Sequence, residues 1–262
     1  MGISSKKKGI GLVLSGGGFR GMAHIGVIKR LEELQIEPTH VSGTSAGALV
    51  AAFYAGGYDA AQILEFFKHT KVFNWRNYAF GKAGILEPMK FLPILQEYFP
   101  DNTFEALSKK LLIAITNLET GVGEIRQSGE LLPSLMASGA LPFMFAPVEI
   151  DGILYADGGI INNFPVKPLL SHCSKIIGVY VNPLAIKNKL DFKYTYSVMR
   201  RAFEIGTANH SMPKFSYCDV MLVPEKLTDH SLVDINHIQD IFEIGYEAAK
   251  AQDDELKQLG NW

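Results

Sequence analysis

Cysteine is scarce in this sequence, and a surplus of either charge is lacking as well. The 262 residues include two cysteines, Cys173 and Cys218, and neither belongs to a C-x-x-C pair. Two such thiols do not build a disulfide framework, so we expect both to stay reduced in a cytosolic-type compartment. The formal net charge is −2, which gives nucleic-acid binding no electrostatic support.

Long hydrophobic runs are also missing. No apolar stretch reaches the roughly 18 residues of a membrane-spanning helix, and the apolar run at residues 10–14 is too short for the core of a signal peptide. We therefore expect a cytoplasmic protein, with peripheral contact at a membrane left open. The three lysines at residues 6–8 would assist such contact by about 1 kcal/mol each at an anionic surface.

The order of apolar segments predicts an α/β fold. Residues 1–8 are expected to form a flexible basic tail, and residues 9–262 a single domain, because no linker-like stretch interrupts them. Strands are predicted at residues 9–14, 38–42, 111–116, 123–127, 148–155, 175–181 and 220–223. Helices are predicted at residues 19–34, 46–56, 58–69, 88–98, 130–138, 194–209 and 238–259. This alternation favours a parallel sheet with right-handed crossovers.

Residues 43–47 have the G-x-S-x-G spacing of a nucleophile elbow, in which a serine occupies a sharp turn between a strand and a helix. Gly43 and Gly47 would supply the small neighbours that the turn needs, and Ser45 would be the nucleophile. The predicted strand before the motif and the Ala-rich helix after it fit this arrangement.

A glycine loop at residues 15–21 follows the first predicted strand and has two interpretations. Gly16, Gly18 and Gly21 fit the G-x-G-x-x-G dinucleotide fingerprint. Alternatively, the consecutive glycines Gly16, Gly17 and Gly18 could direct backbone N–H groups toward one oxyanion. A dinucleotide-binding site normally has an acidic residue at the end of the second strand. Because that strand ends at the serine motif instead, the oxyanion interpretation is favoured.

A serine nucleophile needs a proton acceptor, and the histidines are weak candidates for it. His69, His172, His210, His230 and His237 follow the motif, but each fits a surface or helix-end position better. His24 is expected to pack structurally beneath the glycine loop. Asp157, followed by two glycines, is the better candidate for the base, although a plain Asp-Gly turn is an equal alternative.

Taken together, these motifs resemble those of the patatin-like phospholipases, of the bacterial single-domain type. The loop at residues 16–21 looks like the family's G-G-G-x-R/K-G, residues 43–47 like its G-x-S-x-G, and residues 157–159 like its D-G-G/A. The stretch at residues 137–142 resembles the family's approach to the aspartate. The resemblance runs from about Gly9 to about Pro183.

The resemblance implies a three-layer α/β/α sandwich with a mainly parallel central sheet, and hydrolysis of a fatty acyl ester through a Ser–Asp dyad. It implies Ser45 as nucleophile, Asp157 as base, and the loop glycines as oxyanion donors. Arg20 and Gly21 would support the loop, and no metal or cofactor would be needed. The expected partner is a lipid ester substrate from a phospholipid, lysophospholipid or neutral lipid, and the oligomeric state stays undetermined.

Two groups of residues are candidates for contact with the acyl chain. One is an aromatic stretch that would act as a lid or serve ordinary packing, namely Phe66, Phe67, Phe73, Trp75, Tyr78 and Phe80. The other lies near the aspartate motif, namely Leu141, Phe143, Met144 and Phe145. A catalytically idle lipid-binding protein and a dinucleotide-binding protein remain the alternative functions.

Overall fold

The computed structural model describes residues 9–70, 88–142, 144–232 and 234–260. The strands are β1 (Ile10–Leu14), β2 (His40–Thr44), β3 (Lys110–Asn117), β4 (Gly123–Arg126), β5 (Val148–Ile150), β6 (Ile153–Asp157), β7 (Lys175–Val179) and β8 (Val220–Leu222). The helices are α1 (Met22–Glu33), α2 (Ala46–Ala55), α3 (Ala60–His69), α4 (Leu92–Tyr98), α5 (Leu131–Ser138), α6 (Gly159–Asn162), α7 (Thr195–Ser211), α8 (Ile238–Lys250) and α9 (Asp253–Gly260). The expected tail and the aromatic stretch from Phe73 to Phe80 lie outside the described residues.

The eight strands form one mixed sheet with a parallel centre. Its order is β5-β6-β3-β2-β1-β7-β8, and β4 pairs with β3 off this path. β1, β2, β3, β7 and β8 pair in parallel, whereas β4, β5 and β6 are antiparallel additions. All five residues of β1 are buried, as expected for a central parallel strand that is covered on both faces. The predicted mainly parallel α/β architecture is confirmed.

Successive residues of β1 enter opposite layers, as the pleat of a strand requires. Leu12 and Leu14 belong to the larger core, which the buried faces of α1, α2, α3 and α5 complete. Val13 belongs to a smaller core on the other face, with Phe164 and Tyr180. The sheet is therefore packed on both sides, and both cores meet the strands whose ends carry the predicted motifs.

Several predicted elements differ from the observed ones in detail. The predicted helix at residues 238–259 is interrupted by a turn at residues 251–252, which separates α8 from α9. The first helix begins with a tight 3-10 turn at Gly18–Gly21 before α1. The predicted hairpin at residues 148–155 is confirmed, with Asp151 and Gly152 in left-handed conformation at its turn. Within the described residues, no helix has the length and apolar character needed to cross a membrane.

The arrangement around β3 determines where β2 and β6 end. β2 pairs with the first part of β3, up to Thr44 opposite Ala114. β6 pairs with the last part of β3, where Asp157 lies opposite Ile115. β4 pairs with residues 113–116, which leaves β2 and β6 on the same edge of β3. Their carboxyl ends therefore point at each other.

Candidate active site

Ser45 occupies a strained turn between β2 and α2. Its backbone has φ 54° and ψ −126°, a region that residues with a side chain rarely adopt. A Cβ on Gly43 would lie 2.6 Å from the Gly47 carbonyl oxygen, and a Cβ on Gly47 would lie 2.4 Å from the carbonyl oxygens of Leu14 and Ser15. The two glycines are thus required by close backbone packing, as the predicted elbow demands.

Ser138 holds the elbow from the end of α5. Its Oγ accepts a hydrogen bond from the Ser45 N–H at 2.9 Å and donates one to the Ala114 carbonyl oxygen at 2.8 Å. Ser138 is fully buried. A single hydroxyl therefore connects the strained residue to β3, the strand on which β2 and β6 converge.

Asp157 ends β6 with its side chain enclosed and only 2% exposed. Its Oδ1 accepts a hydrogen bond from the Gly159 N–H at 2.7 Å, and the Ser45 side chain lies close enough to the carboxylate to lower its pKa. Burial nevertheless raises the pKa of Asp157 to about 6, against the opposing effects of the Gly159 hydrogen bond and of Ser45. The site therefore places a serine hydroxyl near a carboxylate that accepts protons more readily than an ordinary aspartate.

The two glycines after Asp157 are required by space. A Cβ on Gly158 would lie 2.2 Å from the Ala114 carbonyl oxygen, and one on Gly159 would lie 2.9 Å from Asp157 Oδ1. The chain therefore turns tightly against β3, and the Gly159 N–H reaches the carboxylate. This geometry distinguishes residues 157–159 from the ordinary Asp-Gly turn that Asp151 makes.

The glycine loop lies against the elbow but does not offer all three expected N–H groups. The N–H of buried Gly16 donates to the Asn163 carbonyl oxygen at 3.2 Å, so it is engaged within the protein, and its role as an oxyanion donor stays a prediction. Gly17 and Gly18 are partly or fully exposed. Within the described part of the chain, neither of their N–H groups has a protein acceptor. Gly17 and Gly18 are the donors still open to a ligand.

Arg20 and Gly21 attach this loop to its surroundings. The Arg20 Nε and Nη2 atoms both donate to the His230 carbonyl oxygen, at 2.8 and 2.6 Å. The Phe19 N–H donates to the Leu232 carbonyl oxygen at 3.0 Å. A Cβ on Gly21 would lie 2.8 Å from the Cβ of Ala46, so the loop packs directly against the first residue of α2.

An apolar cavity of about 190 Å³ opens beside Ser45. Its lining includes Phe66 and Phe67 of the predicted aromatic stretch and Leu141, Met144 and Phe145 of the other predicted group. Further lining residues are Gly18, Phe19, Met22, Leu49, Phe91, Leu95, Leu135, Met136 and Leu232. Phe143 lies outside the described residues. The nucleophile candidate therefore borders a cavity suited to a hydrocarbon chain.

Residues 12–170, more than half of the chain, match the family described as Patatin-like phospholipase. This chain belongs to the patatin-like phospholipase family. An uncharacterized NTE family protein of Mycobacterium tuberculosis is 34% identical over 61% of this chain and 45% of its own length. Lysophospholipase NTE1 of Candida glabrata is 30% identical over 71% of this chain and 11% of its own length. The chain thus spans less than half the length of these curated relatives.

Among solved structures, VipD of Legionella pneumophila aligns with this patatin-like chain at a TM-score of 0.49. The two are 17% identical, and the alignment covers 90% of this chain and 67% of VipD.

Most histidines of this patatin-like chain contact residues other than Ser45. His24 is buried beneath the loop, where its Nε2 lies 2.8 Å from the Ser15 carbonyl oxygen, and burial lowers its pKa to about 4. His172 stacks on His40 with ring centroids 5.3 Å apart. His69 is largely exposed and pairs with Glu65 at 2.9 Å. His210 lies on the last turn of α7.

His230 and His237 share the carboxylate of Asp234. The His230 Nδ1 lies 3.0 Å from one oxygen and the His237 Nδ1 lies 2.6 Å from the other. Among the described residues, this trio is a group whose donor atoms lie within 4.8 Å of one another, close enough to ligate a metal. Because the nitrogens already bond to the carboxylate, the trio forms a hydrogen-bonded network near the loop.

Three residues of this site were not assigned roles from the sequence. Asn163 Nδ2 and Asn182 Nδ2 both donate to the Gly16 carbonyl oxygen, and Ser138 holds Ser45. Their partners lie far away in sequence, so no local spacing indicates them. Ser138 falls within the stretch at residues 137–142 that resembles the family's approach to the aspartate, which was the one available signal.

Proposed function

We propose that this chain is a serine acyl hydrolase that cleaves the fatty acyl ester bond of phospholipids or lysophospholipids. One observation carries the proposal. The Ser45 side chain lies near enough to the buried Asp157 carboxylate to lower its pKa, and Ser45 borders an apolar cavity. A nucleophile, a proton acceptor and space for an acyl chain therefore coincide in one place.

The proposed ester hydrolysis uses Ser45, Asp157 and the N–H groups of the glycine loop. The Ser45 oxygen attacks the ester carbonyl carbon while its proton passes to Asp157. The carbonyl oxygen becomes an oxyanion, for which the N–H groups of Gly17 and Gly18 are the open donors. Collapse of the tetrahedral intermediate breaks the ester C–O bond, and the alcohol leaves with the proton from Asp157. Water, losing its proton to Asp157, then attacks the carbonyl carbon of the acyl-serine. The bond between that carbon and the Ser45 oxygen breaks, Asp157 returns the proton to Ser45, and the fatty acid departs.

The environment of Asp157 suits it for work without a histidine. An aspartate with an ordinary pKa near 3.9 is a weak acceptor at neutral pH. Burial raises the pKa of Asp157 to about 6, so its carboxylate is both present at neutral pH and closer in basicity to an imidazole. Oxyanion donors are worth roughly 10²–10³ in rate each, and the pair Gly17 and Gly18 would supply the larger share.

The substrate class follows from the cavity and the family. The cavity beside Ser45 is lined almost entirely by apolar and aromatic side chains, which favour a hydrocarbon chain over a polar acyl group. The Candida glabrata relative carries the name lysophospholipase. A single-chain phospholipid would place one acyl chain in this cavity, and a lysophospholipase-type activity is therefore the first to test.

The test compares the parent with Ser45→Ala, using Ser134→Ala as a matched control on α5. Fluorophosphonate labelling and hydrolysis of p-nitrophenyl esters and lysophosphatidylcholine should be lost in Ser45→Ala and kept in the control. Equal labelling of the parent and Ser45→Ala would disprove the nucleophile assignment. Lipid binding by a parent that cleaves no ester would instead identify a catalytically idle lipid-binding protein.

The dinucleotide alternative has little support in the loop geometry. Gly16 is buried with both its N–H and its carbonyl oxygen engaged. A Cβ on Gly18 would lie 2.3 Å from the Leu232 carbonyl oxygen, so the chain at Leu232 covers one side of the loop. An increase in the melting temperature of the protein on addition of NAD(P) would support this alternative.

A further inference from the structure

The apolar side chains between β7 and the middle of α7 are unusually exposed. Ile186 is 100% exposed, Leu190 86% and Tyr194 67%. On α7, Val198 and Met199 are about half exposed, at 50% and 47%. Isolated exposed apolar residues are ordinary and occur elsewhere in this chain, but a dense series within one short segment marks a contact surface. We call residues 184–203 the contact segment.

The contact segment is strongly basic although the whole chain is not. It contains five basic residues and one acidic residue, Asp191, whereas the full chain has a net charge of −2. The basic residues are Lys187, Lys189, Lys193, Arg200 and Arg201. Apolar side chains interspersed with cations are the pattern of elements that lie in the interface of anionic lipid membranes.

A second cavity, of about 180 Å³, lies against the contact segment. Its charged lining consists of four cations and two acids, namely Arg20, Lys187, Arg200, Arg201, Glu204 and Asp229. Glu204 is 3.3 Å from Arg201 and 3.6 Å from Arg200, so one acid is shared by two guanidinium groups. The remaining positive charge fits a phosphate group, which guanidinium groups bind well.

The contact segment follows β7 at the same end of the sheet as Ser45, where the parallel strands have their carboxyl ends. It follows the carboxyl end of β7, where the Val181 N–H donates to Ser15 Oγ at 3.0 Å and Asn182 donates to the Gly16 carbonyl oxygen. Leu232 lines both the basic cavity and the apolar cavity. A surface bound through the contact segment would therefore be presented to the side of the molecule that holds the active site.

We infer that the contact segment is a docking surface for anionic lipid membranes. Ile186 and Leu190 enter the interface, the surrounding lysines and arginines attract the anionic lipids, and the basic cavity receives a lipid phosphate. Charge complementarity decides this occupant, since a second copy of this chain would bring a contact segment with the same positive surplus. Docking is independent of catalysis, so it stands or fails separately from the proposed hydrolase activity.

The experiment measures co-sedimentation of Ser45→Ala protein with vesicles, so that the lipid is not consumed. Vesicles of phosphatidylcholine alone are compared with an equimolar mixture of phosphatidylcholine and phosphatidylglycerol. The protein should bind the anionic vesicles and lose that binding at high salt. The double variant Ile186→Ser/Leu190→Ser should bind at least tenfold more weakly, and Lys187→Gln/Lys189→Gln about fivefold more weakly for each charge removed.

The matched control is Lys250→Gln/Lys257→Gln, which removes the same charge from α8 and α9. Both of these lysine side chains are about half exposed, at 54% and 55%, and the control should bind like the parent. Equal binding to neutral and anionic vesicles, or equal binding by all variants, overturns the inference. If the parent forms dimers that Ile186→Ser/Leu190→Ser abolishes, and neither sediments with vesicles, the segment is instead an interface between copies.

Discussion

Ser45 and Asp157 lie near each other because β2 and β6 end against adjacent residues of β3. Thr44, the last residue of β2, lies opposite Ala114, and Asp157, the last residue of β6, lies opposite Ile115. A parallel strand and an antiparallel strand thus converge end to end on one edge. The sheet therefore sets the proximity of Ser45 and Asp157, and the surrounding loops need only shape the entrance to the site.

The pH dependence of activity should follow Asp157. Burial raises the pKa of this carboxyl to about 6, and a general base must be ionised to accept a proton. We expect kcat/KM for a soluble ester to be level above pH ~7 and to fall about tenfold per unit below pH ~6. A profile that is flat from pH 5 to pH 8, in a protein shown to be folded by circular dichroism, would contradict Asp157 as the base.

Asp157→Asn should abolish hydrolysis and yet stabilise the protein at alkaline pH. The pKa of Asp157 is about 6 in the folded state, against 3.8 for an ordinary aspartate. Its ionisation therefore lowers the free energy of unfolding as pH rises from ~4 to ~6, by about 3 kcal/mol in total. Asparagine avoids this cost and keeps an oxygen for the Gly159 N–H.

The measurement is chemical denaturation of the parent and Asp157→Asn at pH 8 and at pH 4. The variant should be more stable at pH 8, and the difference should largely vanish at pH 4. Asp101→Asn removes an equal charge from an exposed position and serves as the control. A variant that is less stable than the parent at pH 8 would show that the carboxylate itself supports the fold.

The sequence indicated the candidate reacting residues better than the residues that hold them in place. Ser45 and Asp157 are each recognisable because a strained or tightly packed residue forces glycines at adjacent positions. Ser138, Asn163 and Asn182 make their bonds to backbone atoms far away in sequence, and no short-range pattern encodes such contacts. The hydrogen bond from the Gly16 N–H to the Asn163 carbonyl oxygen is another contact of this kind.

Ser138→Ala should impair catalysis more than the matched Ser134→Ala. Both serines are buried on α5, and Ser134 Oγ donates only to the Glu130 carbonyl oxygen, at 3.1 Å. Removing the Ser138 hydroxyl leaves the Ser45 N–H without an acceptor, which costs about 1–3 kcal/mol. We expect kcat to fall by roughly 10-fold or more with little change in KM. Equal kcat values for the two variants would show that Ser138 does not position Ser45.

Arg20→Lys should weaken the glycine loop even though the charge is kept. Arg20 donates two hydrogen bonds to the His230 carbonyl oxygen, and a lysine cannot reproduce that fork. We expect kcat to fall about 10–100-fold as Gly17 and Gly18 lose their placement. Arg30→Lys, which disturbs a guanidinium bonded to Asp253 on the C-terminal helices, is the control. An unchanged kcat would mean that the bond from Phe19 to Leu232 suffices.

Leu49→Trp should shorten the acyl chains that the protein accepts. Leu49 lies one turn of α2 beyond Ser45, is half-buried, and lines the apolar cavity. An indole at this position would fill part of the cavity and exclude the distal part of a long chain. Each methylene that is no longer buried costs about 0.8 kcal/mol, so excluding four of them lowers kcat/KM about 200-fold.

The measurement is the ratio of kcat/KM values for p-nitrophenyl palmitate and p-nitrophenyl butyrate, in the parent and in Leu49→Trp. The kcat/KM value for the palmitate ester should fall strongly. The value for the butyrate ester should change little, because a butyryl chain ends before Leu49. Butyrate hydrolysis is thus an internal control for folding and for an intact dyad. If both esters lose activity in the same proportion, the acyl chain does not occupy the cavity beside Ser45, and its path must be sought elsewhere on the molecule.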